Sequence, residues 1–434
     1  MSESNIPEAQ FAGDDFRPTN VRWKIFGVIV ALVVVNFIDR TALSIAMPSI
    51  NKSFMLSPAM SGIILSSFFW AYGIAQLPAG WFIDRFGPRK VVSFSTFFWG
   101  VFQTAAAIAT GGIFLILTRI GLGFAESPMF PSGAKLNAIW LAKTERGRGA
   151  VIVDCGAPLG AAIGGFLMAW LIIHLNSWRI AFFVVGLITV ICSFVAWYYL
   201  RDNPANHPGV NAKELLHIQN SKITDKISEK IQSSTDKLQI LSRSFIAILV
   251  GRFGWAMVNF GLLTWGPSYL EQSRGFNLKQ MGFATFAIFF AGMGGSLVGG
   301  FGADFLISRG LKRAIVYKTM LCISGAVCVI GFLLLPHIVN PGIAVLMLSI
   351  VLFFLYWGSL YWSLPPIFAP KSKVGQLGSA MNFVGSIGGI LVPILVGLIL
   401  QKTKTYFYVL EFFAACAAMY AIANLVIDFR KEQN

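Results

Sequence analysis

The sequence predicts an all-α membrane protein, with twelve transmembrane helices in two pseudo-symmetric six-helix bundles and both termini cytoplasmic. Three observations predict it: the composition, the recurrence of apolar runs of spanning length, and a long polar break with a repeated motif on either side. Of the 434 residues, 56% are hydrophobic and 12% charged, where soluble domains carry about 45–50% and about 25%. Mean hydropathy is +0.69. A chain this long and this poor in charge is solvated by lipid over much of its surface.

Apolar runs long enough to cross a bilayer fall near 22–46, 57–83, 90–109, 113–141, 148–173, 179–200, 243–270, 280–307, 314–335, 342–368, 376–400 and 406–428. The long break between the sixth and seventh is rich in Lys, Glu, Ser and Gln. Its stretch NAKELLHIQNSKITDKISEKIQ has the periodicity for one or two surface helices, and it is expected to be a solvated linker. The chain thus divides into an N-terminal tail (1–21), a bundle (22–200), a linker (201–242), a second bundle (243–428) and a C-terminal tail (429–434).

The net charge of +15 would suit a nucleic-acid partner if it formed one patch. It does not. Arg22 and Lys24 open the first helix; Arg85, Arg89 and Lys90 follow the second; Lys143, Arg146 and Arg148 follow the fourth. Arg309, Lys312 and Arg313 follow the eighth, Lys371 and Lys373 the tenth, and Arg430 and Lys431 close the chain. Cations concentrated in alternate loops mark the cytoplasmic side, so the excess reports topology and no nucleic acid is expected. The first twenty residues lack a basic n-region and a cleavage site, so the first helix is expected to act as the insertion signal. Cys155, Cys192, Cys322, Cys328 and Cys416 sit in apolar runs without metal spacing, which predicts free thiols. The four histidines have no ligand-like neighbours, so neither metal nor cofactor is expected, and without HExxH or GxSxG an enzyme is not either.

A motif recurs in the two halves. GWFIDRFGPRK (80–90) follows the second helix and GGFGADFLISRGLKR (299–313) the eighth, with Gly80 four before Asp84 and Gly300 four before Asp304; Arg85, Gly87 and Arg89 complete the first copy. A helix-face glycine permits close approach of a neighbouring helix. The aspartate can pair with a basic group or a helix N-terminus across the interface in one conformation and not another.

The stretch 117–132, LTRIGLGFAESPMFPS, places Arg119 and Glu126 in an apolar run. Seven residues apart on a helix, they share a face with roughly 10 Å of rise between them. A charge at the bilayer centre costs about 3 kcal/mol on insertion scales, so the two face partners or water inside the bundle. A structural ion pair satisfies that, and so does an anion site whose carboxylate takes up protons. Asp39 and Arg40 are adjacent in the first helix and so point about 100° apart. They are either a charge pair at a helix end or two groups serving different neighbours. Tyr72 has Gln76 one turn along on the same face, and packing or site-lining roles are both open to it.

The doubled motif and the six-plus-six layout resemble the major facilitator superfamily. NFIDRTALSIAMPSI, LTRIGLGFAESPMFPSGAKL, SLYWSLPPIFAP and SAMNFVGSIGGILVP resemble its anion:cation symporter family, which includes bacterial galactonate, glucarate and hexuronate carriers. The resemblance implies a small organic anion, a sugar acid above all, carried with protons across a bacterial inner membrane by a monomer. It implies proton coupling by Asp39 and Glu126, with Arg119 regulating Glu126. It gives the substrate carboxylate to Arg40 and further substrate contacts to Tyr72, Trp362 and Asn382, with Ser359 beside Trp362. Desolvation favours the neutral form of a carboxyl group and a neighbouring arginine the charged form, so a conformational change that alters either can drive proton release.

Two positions depart from the sugar-acid pattern: Asp154 stands where a neutral residue is expected, and Ala157 where a polar substrate contact is. An added carboxylate either alters substrate choice or neutralises a basic neighbour such as Arg252. Transport of an aromatic acid or a dicarboxylate, or exchange, is the rival reading.

Overall fold

The computed structural model describes residues 18–142, 144–219, 242–369 and 373–429. The expected basic residues Lys143, Lys371, Arg430 and Lys431, most of the N-terminal tail and the stretch 220–241 lie outside the described residues. The first six crossings are α1 (Val21–Phe54), α2 (Pro58–Phe86), α3 (Pro88–Ala105), the pair α4 (Gly112–Glu126) and α5 (Met129–Trp140), α6 (Arg146–Leu175) and α7 (Trp178–Tyr199). A short α8 (212–219) follows. The second six are α9 (Arg243–Arg274), α10 (Leu278–Ser308), α11 (Arg313–Leu334), α12 (Pro341–Leu355) continued through Tyr356–Ser363 to α13 (Pro365–Phe368), α14 (Val374–Thr403) and α15 (Phe407–Val426). Twelve segments among the described residues are long and apolar enough to span a membrane.

The helix ends follow local chemistry. Ser57 caps α2 by accepting from the Met60 amide, with Pro58 in the first turn. Asn277 and Gln280 form a reciprocal capping box on α10, and α9 stops at Gly275, whose φ is 69°. The first helix runs beyond the expected 46 to Phe54, because hydropathy marks where the apolar run ends and backbone hydrogen bonding continues past it.

Two crossings are broken, and both breaks have a cause. In the fourth, Pro128 has no N–H to give the Phe124 carbonyl; the Ser127 hydroxyl donates to it instead at 2.9 Å. The break begins one residue after Glu126. In the tenth, the Leu355 carbonyl accepts from the Trp255 indole at 2.7 Å. The chain then tightens into a 3-10 stretch, Tyr356–Ser363, where residues three apart eclipse.

The bundles meet along two seams, α2 against α14 and α6 against α10, with α1 also touching α9. Along the first seam a Cβ at Gly62 would lie 2.4 Å from the Pro393 carbonyl, and one at Gly397 2.6 Å from that of Pro58. Toward the end that carries residues 18 and 429, a Cβ at Gly80, Gly375 or Gly378 would meet nothing within 4 Å. The seam is therefore tight at the far end and splayed at the near one. Lys52 and Glu271, 3.7 Å apart, join α1 to α9 at the tight end.

The repeated motif lies at the splayed end and does not bridge the bundles at its first copy. Asp84 pairs with Lys135 of α5 at 2.6 Å, inside its own bundle. Gly87 turns the chain at φ 84°, the Arg89 amide donates to Asp202 and its guanidinium to the Trp197 carbonyl at 2.8 Å, and Arg85 lies over Trp81. Asp304 is exposed, while a Cβ at Gly300 would lie 3.5 Å from Val151 of the facing bundle.

The solvated-linker expectation needs correction over its first part. Glu214 on α8 is fully buried and accepts from the Thr19 hydroxyl, the Val21 and Arg22 amides and the Arg22 guanidinium, at 2.6, 3.2, 3.1 and 2.9 Å. The orphan amides at the start of α1 need an acceptor, and α8 supplies one.

Candidate functional site

Asp39 and Arg40 lie in the middle of α1, which excludes a charge pair at a helix end. The angle between adjacent helical residues sends them to different neighbours, as expected. Asp39 points into the first bundle and is fully buried. It accepts from the Trp99 indole of α3 at 3.0 Å and the Thr189 hydroxyl of α7 at 3.1 Å. Arg119 of α4 reaches the Asp39 backbone carbonyl at 3.4 Å and the Gln103 side chain at 3.1 Å. Its guanidinium lies 5.3 Å from the Phe182 ring.

Arg40 points toward α2 and α4 of the same bundle. Its Nε donates to Glu126 Oε2 at 3.0 Å, with side-chain exposures of 6% and 0%. Three rings enclose the guanidinium, Phe37 at 4.8 Å, Phe68 at 4.5 Å and Tyr72 at 4.7 Å. The Arg40 Nη2 and Glu126 Oε1 atoms make no hydrogen bond among the described residues, nor do the amide atoms of neighbouring Asn36.

The hydrogen bonds add to the expected pairing, since Arg119 stays within electrostatic reach of Glu126 without bonding to it. Glu126 bonds to Arg40 on α1, whereas Arg119 is tied to the Asp39 side of the same helix. Two turns of rise separate Arg119 from Glu126 along α4, and packing gives each a nearer partner on α1.

Tyr72 stacks on Phe68, ring centres 5.3 Å apart, so packing and site-lining are one arrangement. One turn along α2, Gln76 accepts a hydrogen bond from the Asn382 amide of α14, and a Cβ on Gly73 would lie 3.3 Å from Ser386. Trp362 is 42% exposed and its ring lies 5.0 Å from the Arg252 guanidinium. Ser359 shares its 3-10 stretch and is half-buried. Asp154 is half-buried on α6, beside Ser296 and within electrostatic reach of Arg252.

The structure thus brings Arg40, Glu126 and Tyr72 together, joins Gln76 on the helix of Tyr72 to Asn382 of the facing bundle, and places Trp362 and Ser359 with Arg252 in the second bundle. Asp39 and Arg119 form a second buried cluster, within electrostatic reach of Glu126. Arg252 was read from sequence only as a basic neighbour that Asp154 neutralises. It lies among the candidate residues, 7% exposed, 4.2 Å from the Trp255 ring, with its Nε unpartnered. An arginine inside an apolar span is a functional signal by itself, and that rule picks it out. Trp99, Thr189 and Gln103 carry no such signal. Among the described residues no cluster of three His, Cys, Asp or Glu could hold a metal.

Residues 29–393 match the family described as Major Facilitator Superfamily. The chain is 30% identical over 423 residues to a probable galactarate/D-glucarate transporter of Escherichia coli, covering 94% of this chain and 95% of that one. It is 28% identical over 424 residues to a protein of the same description from Bacillus subtilis, with coverages of 95% and 92%. A D-galactonate transporter of Escherichia coli is 29% identical over 395 residues, with coverages of 89% and 90%. Among solved structures, a D-xylose-proton symporter superposes with a TM-score of 0.71 at 14% identity, covering 93% of this chain and 97% of that one. That likeness concerns the fold.

Proposed function

The chain belongs to the Major Facilitator Superfamily, and from that premise we propose that it carries a sugar acid across the membrane together with protons. The Arg40–Glu126 bond supports this reading most directly. A buried arginine with a buried carboxylate on it is neutral and closed. A substrate carboxylate competes with Glu126 for the guanidinium, which grips carboxylates through two parallel hydrogen bonds. Breaking a buried pair costs about 3–5 kcal/mol when one charge is left alone. Protonation of Glu126 removes that cost, so anion and proton enter the site together.

Tyr72 covers one side of the bound acid. Asn382 and Gln76, already bonded to each other across the seam, offer donors and acceptors for its hydroxyls, and Trp362 a face for its C–H groups. Asp39, held by Trp99 and Thr189 and next to Arg119, is the second proton carrier. The family places such sites at the membrane midplane between halves. With both termini in the cytoplasm, the open end of the α2–α14 seam is the cytoplasmic one, where α6 and α10 stay in contact. Asp84 then stays with Lys135 until the bundles rock and the motif latches.

Purified protein in liposomes tests the proposal. Galactonate or galactarate is expected to accumulate when the exterior is acid, and to stop accumulating when a proton ionophore collapses the gradient. Accumulation indifferent to the ionophore would rule out proton symport.

A further inference from the structure

Arg40 has a carboxylate bonded to it; Arg252 does not. Among the described residues no ion pair within 4 Å reaches Arg252, and its Nε has no hydrogen-bond partner although the residue is 7% exposed. A buried cation still needs compensation, and it comes at longer range from Asp154 on the opposite bundle. Around Arg252 stand the Trp255 and Trp362 rings and the phenols of Tyr356, Tyr361 and Tyr420. Around Asp154 stand Ser296, Cys155 and Tyr356 besides Arg252. On its remaining side Arg252 meets Gly385 of α14, where a Cβ would lie 3.7 Å from Nε. Gly385 is one turn from Asn382, so α14 presents bare backbone to the guanidinium at the level of the candidate site.

Resting on the transporter reading above, we infer that Arg252 receives a second carboxylate and that Asp154 balances its charge until that carboxylate arrives. The site then takes a dicarboxylic sugar acid end to end, one carboxylate on Arg40 of the first bundle and the other on Arg252 of the second. Charge counting supports the assignment. Arg40 with Glu126 is neutral, and so is Arg252 with Asp154. A dianion that occupies both arginines leaves the site neutral only if both carboxyl groups gain a proton. A monocarboxylate needs one.

The test compares galactarate, with two carboxylates, and galactonate, with one, by calorimetry on detergent-purified protein in buffers of different ionisation enthalpy. Arg252→Gln is expected to weaken galactarate at least tenfold more than galactonate, and Arg252→Lys to recover part of the difference. Galactarate binding to the unmodified protein is expected to take up one proton more than galactonate binding, and that excess to vanish in Asp154→Asn. Residual galactonate binding reports that each variant is folded. Equal losses for the two acids, or an unchanged proton count in Asp154→Asn, would overturn the inference. Unmodified protein that binds galactonate but not galactarate would overturn it alone, leaving the transporter reading in place; protein that binds neither would overturn both.

Discussion

Arg40 Nε donates to Glu126 Oε2 at 3.0 Å inside a box of Phe37, Phe68 and Tyr72, so the cation best placed for an anionic solute is already engaged by a proton-accepting group. Under the proposed function a substrate carboxylate and ionised Glu126 compete for one guanidinium, and protonation of Glu126 favours the substrate.

Glu126→Gln separates the two events. The amide cannot hold or release a proton, so accumulation driven by a pH gradient is expected to fall at least tenfold. Exchange of labelled for unlabelled substrate across liposomes at equal pH is expected to survive, because Arg40 still binds. Loss of both would show that Glu126 is needed for the fold or for binding itself.

Arg40→Lys keeps the charge and loses the planar fork and its fit among three rings. Affinity is expected to drop about 10–100-fold, or about 1.4–2.8 kcal/mol, read by calorimetry with galactonate. A change under threefold would place the substrate carboxylate elsewhere.

Gly62→Val tests the tight end of the α2–α14 seam. The added side chain meets the Pro393 carbonyl, which would lie 2.4 Å from its Cβ, so the far end cannot close. Spin labels at Met55→Cys and Lys402→Cys, in a background without the native cysteines, are expected to report a longer mean distance in the variant. An unchanged distance would mean that this seam does not gate.

Outside the membrane, the contacts of Glu145 predict a pH-dependent contribution to stability. Burial alone would raise its pKa; hydrogen bonds and charge from Arg22, the Ala142 amide and His217 outweigh that and leave it below the ordinary value. A carboxyl group depressed on folding stabilises the protein above its unfolded pKa, and the contribution fades as pH falls through the folded value. Glu145→Gln is therefore expected to lower the melting temperature at pH 7, with the gap to the unmodified protein closing below about pH 4. A gap independent of pH would assign the effect to packing.

How much was legible beforehand follows the range of each interaction. Twelve crossings, their order and most helix ends could be read because hydropathy, caps and prolines act over a few residues. Asp39 and Arg40 were legible as a divergent pair because helix geometry alone separates them. The partner of Glu126 was not, since Arg119 shares its helix but Arg40 comes from another. The docking of α8 was missed for a similar reason: Glu214 reads as a solvated linker residue until the bare amides of Val21 and Arg22 are brought to it. Arg252 was visible as a charge in an apolar run, yet its place among Trp255, Trp362 and Gly385 depends on three separate stretches of chain.

The sequence by itself determined that the chain spans a bilayer, in two related halves, with ionisable groups that lipid cannot accommodate. Those properties come from local transfer free energy and helix periodicity, which need no knowledge of neighbours. The tertiary structure alone decided which charges meet, that Arg40 is closed by Glu126 while Arg252 is balanced from a distance, and which end of the seam is splayed. Charge pairing in a low-dielectric interior depends on ångström-scale separations between helices far apart in the chain, and only their packing sets these.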